Sequence, residues 1–436
     1  MLKTKKITGE IKIPHSLYEE VRLEVKNIPD FKRKIESSLN ITTSELTEVL
    51  LVGAIVLNAS DIHIEPEQEE AKIRIRVDGV LEDVIFLDIK KYNFLLSRIK
   101  LMSGLKLNVK DRPQDGRFSI LLEGGSIEIR ASSLPAEYGE SIVLRILNPK
   151  NLISLEKLGM REDLLKLFKK EIKRPHGMII VTGPTGSGKT TTLYAILKKL
   201  NKPEVKIITI EDPIEYELKG ISQSQVDPSK GYDFANGLKA LMRQDPDVIL
   251  VGEIRDLETA KIAIQAALTG HLVLTTLHTN DSAGVIARLQ ALGEKPVDIA
   301  PAINMAVAQR LVRKVCPKCK SLRKISAEEL KEIKKELKNL PDGVKVPKID
   351  KNTKIAEAKG CPYCNFTGYR GRDAIFEAFL VDEEIEEFIL KSPSIPALRK
   401  LLRKKGMVSM RQDGLIKVLN NITTIEEVNR VTSREK

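Results

Sequence analysis

The stretch MIIVTGPTGSGKTTTLYAILKKL, residues 178–200, decides the fold. MIIVT is a short apolar run of the kind that forms a strand buried on both faces. GPTGSGKT (Gly183–Thr190) then fits the pattern G-x-x-x-x-G-K-[ST] in full, and TTTLYAILKKL behind it reads as a helix. A strand, a glycine-rich turn and a helix in that order make a P-loop. Its glycines let backbone N–H groups curl around phosphates, its lysine reaches the β and γ oxygens, and its last hydroxyl is placed on Mg²⁺. The nucleotide-binding candidates are therefore Gly183, Pro184, Thr185, Gly186, Ser187, Gly188, Lys189, Thr190 and Thr191, with Thr190 also a magnesium ligand. A coincidental Gly-rich turn would not carry both flanking elements.

Beyond this stretch strands and helices alternate: KIITIE, a helix around Phe234 to Met242, VILVGE, the helix DLETAKIAIQAAL, and LVLTTL. Such alternation marks a parallel sheet with helices on its faces. A P-loop also needs carboxylates for the metal and for the attacking water. VILVGEIRD (Val248–Asp256) ends its strand in Gly252-Glu253 where Asp-Glu is expected, so Glu253 alone remains there to reach Mg²⁺ or polarise water. A neighbouring strand end, EDPIE, supplies Glu211, Asp212 and Glu215. Two acidic strand ends beside a P-loop predict carboxylates that have moved rather than vanished. Of only five histidines, His271 and His278 bracket LVLTTL, and both are read as sensing the γ-phosphate or coupling subunits.

Ahead of this unit, a helical pattern from Thr42 leads into ASDIHIEP and then the strand-like runs KIRIRVDG and VLEDVIFLD. A helix carrying Leu95, Ile99 and Met102 follows, then RFSILLEG and SIEIRASS. These describe a small α+β domain. The expected organisation is a short Lys-rich segment at 1–41, an α+β domain at 42–150, the P-loop core at 151–310, a Cys-bearing module at 311–370 and a helical tail at 371–436.

With 436 residues, 42% hydrophobic and 30% charged, the chain has material for two or three cores and is unsuited to disorder. No apolar run approaches the ~18 residues that cross a bilayer. MLKTKKITGE lacks the apolar stretch of a secretory signal. The chain reads as cytosolic, with a peripheral place at a membrane left open. Its formal charge is +12, and residues 310–348 hold 13 Lys or Arg against 5 Asp or Glu. That balance suits either a solvated basic helix or a surface for anionic lipid, nucleic acid or an acidic protein.

All four cysteines lie in CPKC (Cys316, Cys319) and CPYC (Cys361, Cys364), the spacing of a closed, structural Cys₄ zinc site. Disulfides are the competing reading and suit a cytosolic chain less well. Between the knuckles, SAEELKEIKKELKNL opens with a capping box, Ser326 with Glu329, and carries Leu330, Ile333, Leu337 and Leu340 on one face.

GPTGSGKT, ITIEDPIEYEL, LMRQDPDVILVGEIRDLETA and TGHLVLTTLHTN resemble the Walker A, Asp-box, Walker B and His-box of the secretion ATPases that drive type II secretion and type IV pilus assembly. ASDIHIEP, RIRVDG, RPQDGRFSI and LPAEYGESIVLRIL resemble that family's N-terminal regulatory domain, and GYRGRDAIFEAF and ITTIEEVNRVT its C-terminal portion. The likeness runs from about residue 42 to 434. It implies a RecA-like P-loop NTPase domain behind a PAS-like α+β domain, with a Cys₄ zinc insert and a helical tail. Gly-Glu is the normal Walker B ending in this family, so an active ATP hydrolase is expected, with ATP, Mg²⁺ and Zn²⁺ bound. By the same resemblance Glu253 binds or orients around Mg²⁺, Glu215 activates the water, and His278 joins the catalytic set. A homohexamer holds ATP between N-terminal and P-loop domains, with Arg130 and Arg243, and further Arg117 and Arg145, completing the site. The implied place is the cytoplasmic face of the inner membrane, against a platform protein through which pilins or pseudopilins are assembled. Retraction and conjugation relatives lack the tetracysteine insert. The larger members carry an additional N-terminal domain for which 41 residues are too few, so direct platform contact is expected. A nucleic-acid translocase is disfavoured, because aromatics for base stacking make up only 4% of the chain. A nucleotide-binding scaffold without turnover is disfavoured by the complete set of Lys189, Thr190, Glu215 and Glu253.

Overall fold

The computed structural model describes residues 9–123, 125–148 and 153–432. The chain divides into two compact units. The first spans residues up to Asn151 and includes Cys316–Lys320 and Ala358–Arg370; the second holds Leu152–Val315, Ser321–Glu357 and Gly371–Lys436. The boundary expected at 150–151 falls outside the described residues.

In the first unit β1 (Glu10–Lys12), α1 (His15–Glu24), α2 (Ile28–Ser37) and α3 (Thr43–Val56) precede β2 (Asp61–Pro66), β3 (Glu70–Val77) and β4 (Val80–Asp88). Then come α4 (Ile89–Ser103), β5 (Gln114–Leu122), β6 (Gly125–Ala136) and β7 (Gly139–Leu147). The strands form one sheet in the order β1-β5-β6-β7-β2-β3-β4, antiparallel except where β1 runs along β5. Period-two alternation gives the sheet a dry face and a charged one. In β3, Ala71, Ile73 and Ile75 are buried while Lys72, Arg74 and Arg76 point the other way. A capping box of Thr42 and Glu45 starts α3, most of which is buried. A Cβ added at Gly53 would lie 2.0 Å from the Phe31 ring. The glycine costs the helix about 1 kcal/mol against alanine but lets α2 close on α3.

The reading of 1–41 as a separate short segment fails for its described part, since β1, α1 and α2 belong to this unit. Val21 of α1, Val25 just after it, and Phe31 and Ile35 of α2 enter its core, with Leu17, Tyr18 and Ile28 packed against it. The apolar stripe is written in the spacing of α2, but helical spacing does not say which core receives it.

The second unit opens with α5 (Glu162–Glu171), β8 (Gly177–Thr182), α6 (Lys189–Leu200), β9 (Ile207–Glu211), β10 (Ser222–Gln225), α7 (Phe234–Leu241) and β11 (Val248–Val251). It continues with α8 (Leu257–Leu268), β12 (Leu272–Leu277), α9 (Gly284–Leu292), α10 (Pro296–Ala302) and β13 (Ile303–Val315). After β14 (Ser321–Lys324), α11 (Ala327–Glu336) and β15 (Lys354–Glu357) come β16 (Tyr369–Leu380) and α12 (Glu383–Leu390), α13 (Ile395–Lys404), α14 (Met410–Leu419) and α15 (Ile425–Thr432). The main sheet has the order β10-β9-β11-β12-β8-β13-β16, and its pairings from β10 through β13 are all parallel. Two hydrophobic clusters draw on opposite faces of these strands: Ile180 and Met178 in one, Ile179 and Val181 in the other. That is why β8, β11 and β12 read as unbroken apolar runs.

Two further boundaries are corrected. Residue 310 lies inside β13 and residue 370 inside β16, and both strands belong to the P-loop sheet rather than to a separate module or a helical tail. β13 misleads because its first seven residues are buried while its basic second half is partly exposed. The cysteine knuckles group with the first unit, whereas the capped helix between them, α11, packs Ile333 and Leu337 into the second.

Candidate active site

Parallel strands deliver their C-terminal ends to one edge, where the P-loop lies. Gly183 follows β8, and a Cβ there would sit 2.6 Å from the carbonyl oxygen of Gln309 on the adjoining β13. Gly188, at φ +87°, turns the chain into α6. Gln309 clamps the loop from below. Its Nε2 donates to the Ser187 carbonyl at 2.9 Å and its Oε1 accepts from Thr192 Oγ1 at 2.7 Å. Lys189 Nζ donates to the carbonyls of Gly183 (2.9 Å) and Pro184 (3.2 Å). Burial pushes the Lys189 ammonium below its ordinary pKa, Glu253 partly restores it, and Arg310 lowers it again. Ser187 Oγ is buried and has no hydrogen-bond partner, while Thr190 is exposed at the first turn of α6. An orphan hydroxyl, a lysine with reversible carbonyl partners and free N–H groups at a helix start are the donor set that suits a polyphosphate.

Glu253 stands just beyond β11. Arg255 Nη2 donates to it, and His278 Nε2 lies 3.4 Å from its other oxygen. Arg255 also approaches Asp212 at 3.7 Å, which links the two acidic strand ends. The loop bearing His278 is tied to the P-loop strand, because Thr279 N donates to Thr182 Oγ1 at 2.8 Å and Thr182 Oγ1 donates to the Leu277 carbonyl at 2.9 Å. Thr276 Oγ1 caps the carbonyl of Gly252 at 2.7 Å. A Cβ at Gly252 would approach the Ile210 carbonyl at 3.3 Å, so a side chain at that position would crowd the strand β9.

The paired histidines part company. His278 follows β12 and joins Glu253, but His271 precedes β12 at the other end of the strand, its Nδ1 3.1 Å from the Ala266 carbonyl. Among the acidic candidates Glu211 is corrected to a buried role. It is 4% exposed and receives Tyr194, Thr209 and Gln223. Arg243 lies five residues ahead of β11, at the sheet edge opposite Glu253, and donates to the Lys239 carbonyl at 3.1 Å. In the first unit, cross-strand register gathers three named arginines. Arg117 pairs with Arg130 and Arg130 with Arg145, then Arg145 with Asp61 and Asp61 with Arg76. Asp61 accepts from Arg145 at 3.1 Å and meets Arg76 at 3.5 Å. Arg310 and Gln309 escaped the sequence reading, since they lie about 120 residues from the loop they touch. Arg255 carried a signal, two residues after Glu253.

Cys316, Cys319, Cys361 and Cys364 bring all four sulfurs within 4.8 Å of one another, with separations of 3.9, 3.7 and 3.8 Å for the 316–361, 319–364 and 361–364 pairs. A tetrahedral zinc with bonds of about 2.3 Å requires sulfurs roughly 3.8 Å apart, far beyond the ~2.05 Å of a disulfide. Backbone N–H groups of Cys361 and Gly368 donate to the Cys364 sulfur at 3.2 and 3.3 Å, and thiolates favour such donors. The four donors fit Zn²⁺.

Among the described residues no helix is long and apolar enough to cross a membrane. In fold, the chain is similar to the ATPase DotB of Legionella pneumophila, with TM-score 0.65 and 22% identity over 91% of this chain and 97% of that one. It is also similar to the pilus retraction motor PilT with bound ADP, at TM-score 0.59 and 26% identity over 88% of this chain and 96% of that one. In sequence it is 46% identical to the type II secretion system ATPase E of Vibrio cholerae, over 93% of this chain and 78% of the relative. It is 44% identical to the type IV pilus assembly ATPase PilB of Thermus thermophilus, over 86% of this chain and 41% of that protein. The family described as type II/IV secretion system protein matches residues 38–430. By that match, and by relatives that are secretion and pilus-assembly ATPases, the chain belongs to the type II/IV secretion system protein family.

Proposed function

We propose that this protein is an ATP-hydrolysing hexameric motor at the cytoplasmic face of the inner membrane, powering assembly of pilin or pseudopilin subunits through a membrane platform protein. The observation that carries the reading is a P-loop with Lys189 on its own carbonyls and an unpartnered, buried Ser187 hydroxyl, at the sheet edge where Glu253 is held by Arg255 and His278. Backbone N–H groups of Gly183–Thr191 would bind the phosphates, and Lys189 would exchange its two carbonyl partners for β and γ oxygens. Thr190 and Glu253 would hold Mg²⁺, which neutralises charge on the transferred phosphoryl group. Glu215 serves as the water-activating carboxylate. His278, within 3.4 Å of Glu253, orients that carboxylate. Arg130, flanked by Arg117 and Arg145, and Arg243 would complete the phosphate site in the assembled ring. Arg243 acts from a neighbouring copy, because its own fold sets it at the far edge of the sheet. The first unit serves as a PAS-like regulatory domain, supported by its antiparallel sheet with helices on the dry face. Zn²⁺ on the four cysteines would be structural. The basic run at 310–348 suits an acidic platform surface or anionic lipid.

The test is steady-state phosphate release by the wild type and Glu253→Gln, alone and with liposomes carrying the platform protein's cytoplasmic domain. Turnover that rises with the partner and falls by roughly 10²-fold or more in the variant is expected. Tight ATP binding with no turnover under any condition would replace the motor by a nucleotide-gated scaffold. Stimulation by DNA with a steep salt dependence would favour the translocase.

A further inference from the structure

We infer that Tyr194, Glu211 and Gln223 form a positioning relay that sets Glu215 from the P-loop helix, a role that rests on Glu215 being the water-activating carboxylate. Tyr194 lies in α6, one and a half turns beyond Lys189, and only 1% of it is exposed. Its hydroxyl donates to Glu211 Oε2 and accepts the backbone N–H of Glu215 at 3.3 Å, so its one proton and one lone pair serve two partners. Glu211 closes β9 and is itself gripped at Oε1 by Thr209 Oγ1 (2.5 Å) and Gln223 Nε2 (3.2 Å). Gln223, on the neighbouring β10, also donates to the Tyr216 carbonyl at 3.0 Å and accepts from Leu218 N at 2.6 Å. The Tyr216 ring meets Tyr194 edge-on, centroids 6.2 Å apart.

The loop that carries Glu215 is thus held at residues 215, 216 and 218 by Tyr194 and Gln223, two of the three donors to one buried carboxylate. None of these contacts reaches the phosphate cradle directly. A displacement of α6 on nucleotide binding would therefore be passed to the Glu215 backbone through Tyr194, which ties the carboxylate's position to the state of the P-loop. Burial and the Glu211 carboxylate push the Tyr194 phenol well above its ordinary range, so it remains a donor at every working pH.

The test compares phosphate release and binding of a non-hydrolysed ATP analogue in the full chain for wild type, Tyr194→Phe, Gln223→Met and Glu215→Gln. Tyr194→Phe keeps the ring and its contact with Tyr216. Gln223→Met keeps the tyrosine and frees residues 216 and 218, and it decides the matter should the first variant not fold. The relay predicts a kcat loss of about 10–100-fold in both, the range for outer-shell partners, with KM for ATP and analogue affinity unchanged within about twofold. A merely structural role would lower analogue affinity and turnover together, and that result would overturn the relay. So would wild-type turnover in both variants while Glu215→Gln is inactive. Wild-type turnover in Glu215→Gln would instead remove the assignment of Glu215 on which the relay stands.

Discussion

Gly188 shows how much a single backbone position carries. It holds φ +87° at the mouth of α6, and a Cβ there would lie 2.8 Å from Gln309 Nε2. Gly188→Ala therefore meets left-handed strain of about 1–2 kcal/mol and also displaces the amide that clamps the Ser187 carbonyl. Affinity for an ATP analogue is expected to fall roughly tenfold or more while far-UV circular dichroism stays that of the wild type; unchanged affinity by titration calorimetry would contradict the clamp. The P-loop was legible in the sequence because its geometry is written in eight consecutive residues. Its clamp was not. Gln309 and Arg310 reach the loop only because β13 lies beside β8, and nothing local to residues 303–315 reports that adjacency.

At the scale of elements, α15 is pinned to β13 by one carboxylate. Glu427 accepts Arg313 N and Arg313 Nη2 at 2.9 Å, and Arg430 Nη2 and Nε at 2.6 and 2.9 Å. Burial alone would raise its pKa, but the hydrogen bonds from Arg430 and Arg313 outweigh that and hold it at about 2, below the ordinary 4.5. A depressed carboxylate stabilises the fold fully above its unfolded value and loses that contribution as pH falls from about 4.5 toward 2. Wild type should exceed Glu427→Gln by on the order of 2–3 kcal/mol at neutral pH. In urea melts the gap should shrink below pH 4.5 and close near pH 2. A gap constant from pH 7 to 3 would sink the assignment. Among the elements themselves, β8, β9, β11 and β12 and the helices between them match the sequence reading, since long apolar runs and helical spacing need no partner to be recognised. β10, β13 and β16 do not, because short, half-polar or basic strands take their identity from the strand beside them.

For the whole molecule the four cysteines matter most. Cys316 and Cys319 are separated from Cys361 and Cys364 by a stretch, Ser321–Glu357, that belongs to the second unit, yet all four sulfurs gather in the first. There the second knuckle also caps a helix, Asn365 Oδ1 accepting from Ile28 N at 2.8 Å. One zinc per chain is expected, and metal binding to such a site is itself folding free energy. Removing it with a chelator should speed hydrogen exchange across 316–320, 358–370 and the start of α2, leaving the amides of β8 and β12 unchanged. Equal protection with and without metal would show that the knuckles stand without it.

The sequence by itself determined the nucleotide chemistry, the parallel sheet that presents it and the cysteine donor set, because each depends on residues close along the chain or on residue types few in number. The tertiary structure alone decided that His278 and not His271 meets Glu253, that Glu211 is a buried anchor, and that Arg117, Arg130 and Arg145 stand in one row. It also assigned residues 10–37 and both knuckles to the first unit. Those outcomes depend on strand order and cross-strand register, which place side chains together across long stretches of chain and leave no mark in local spacing.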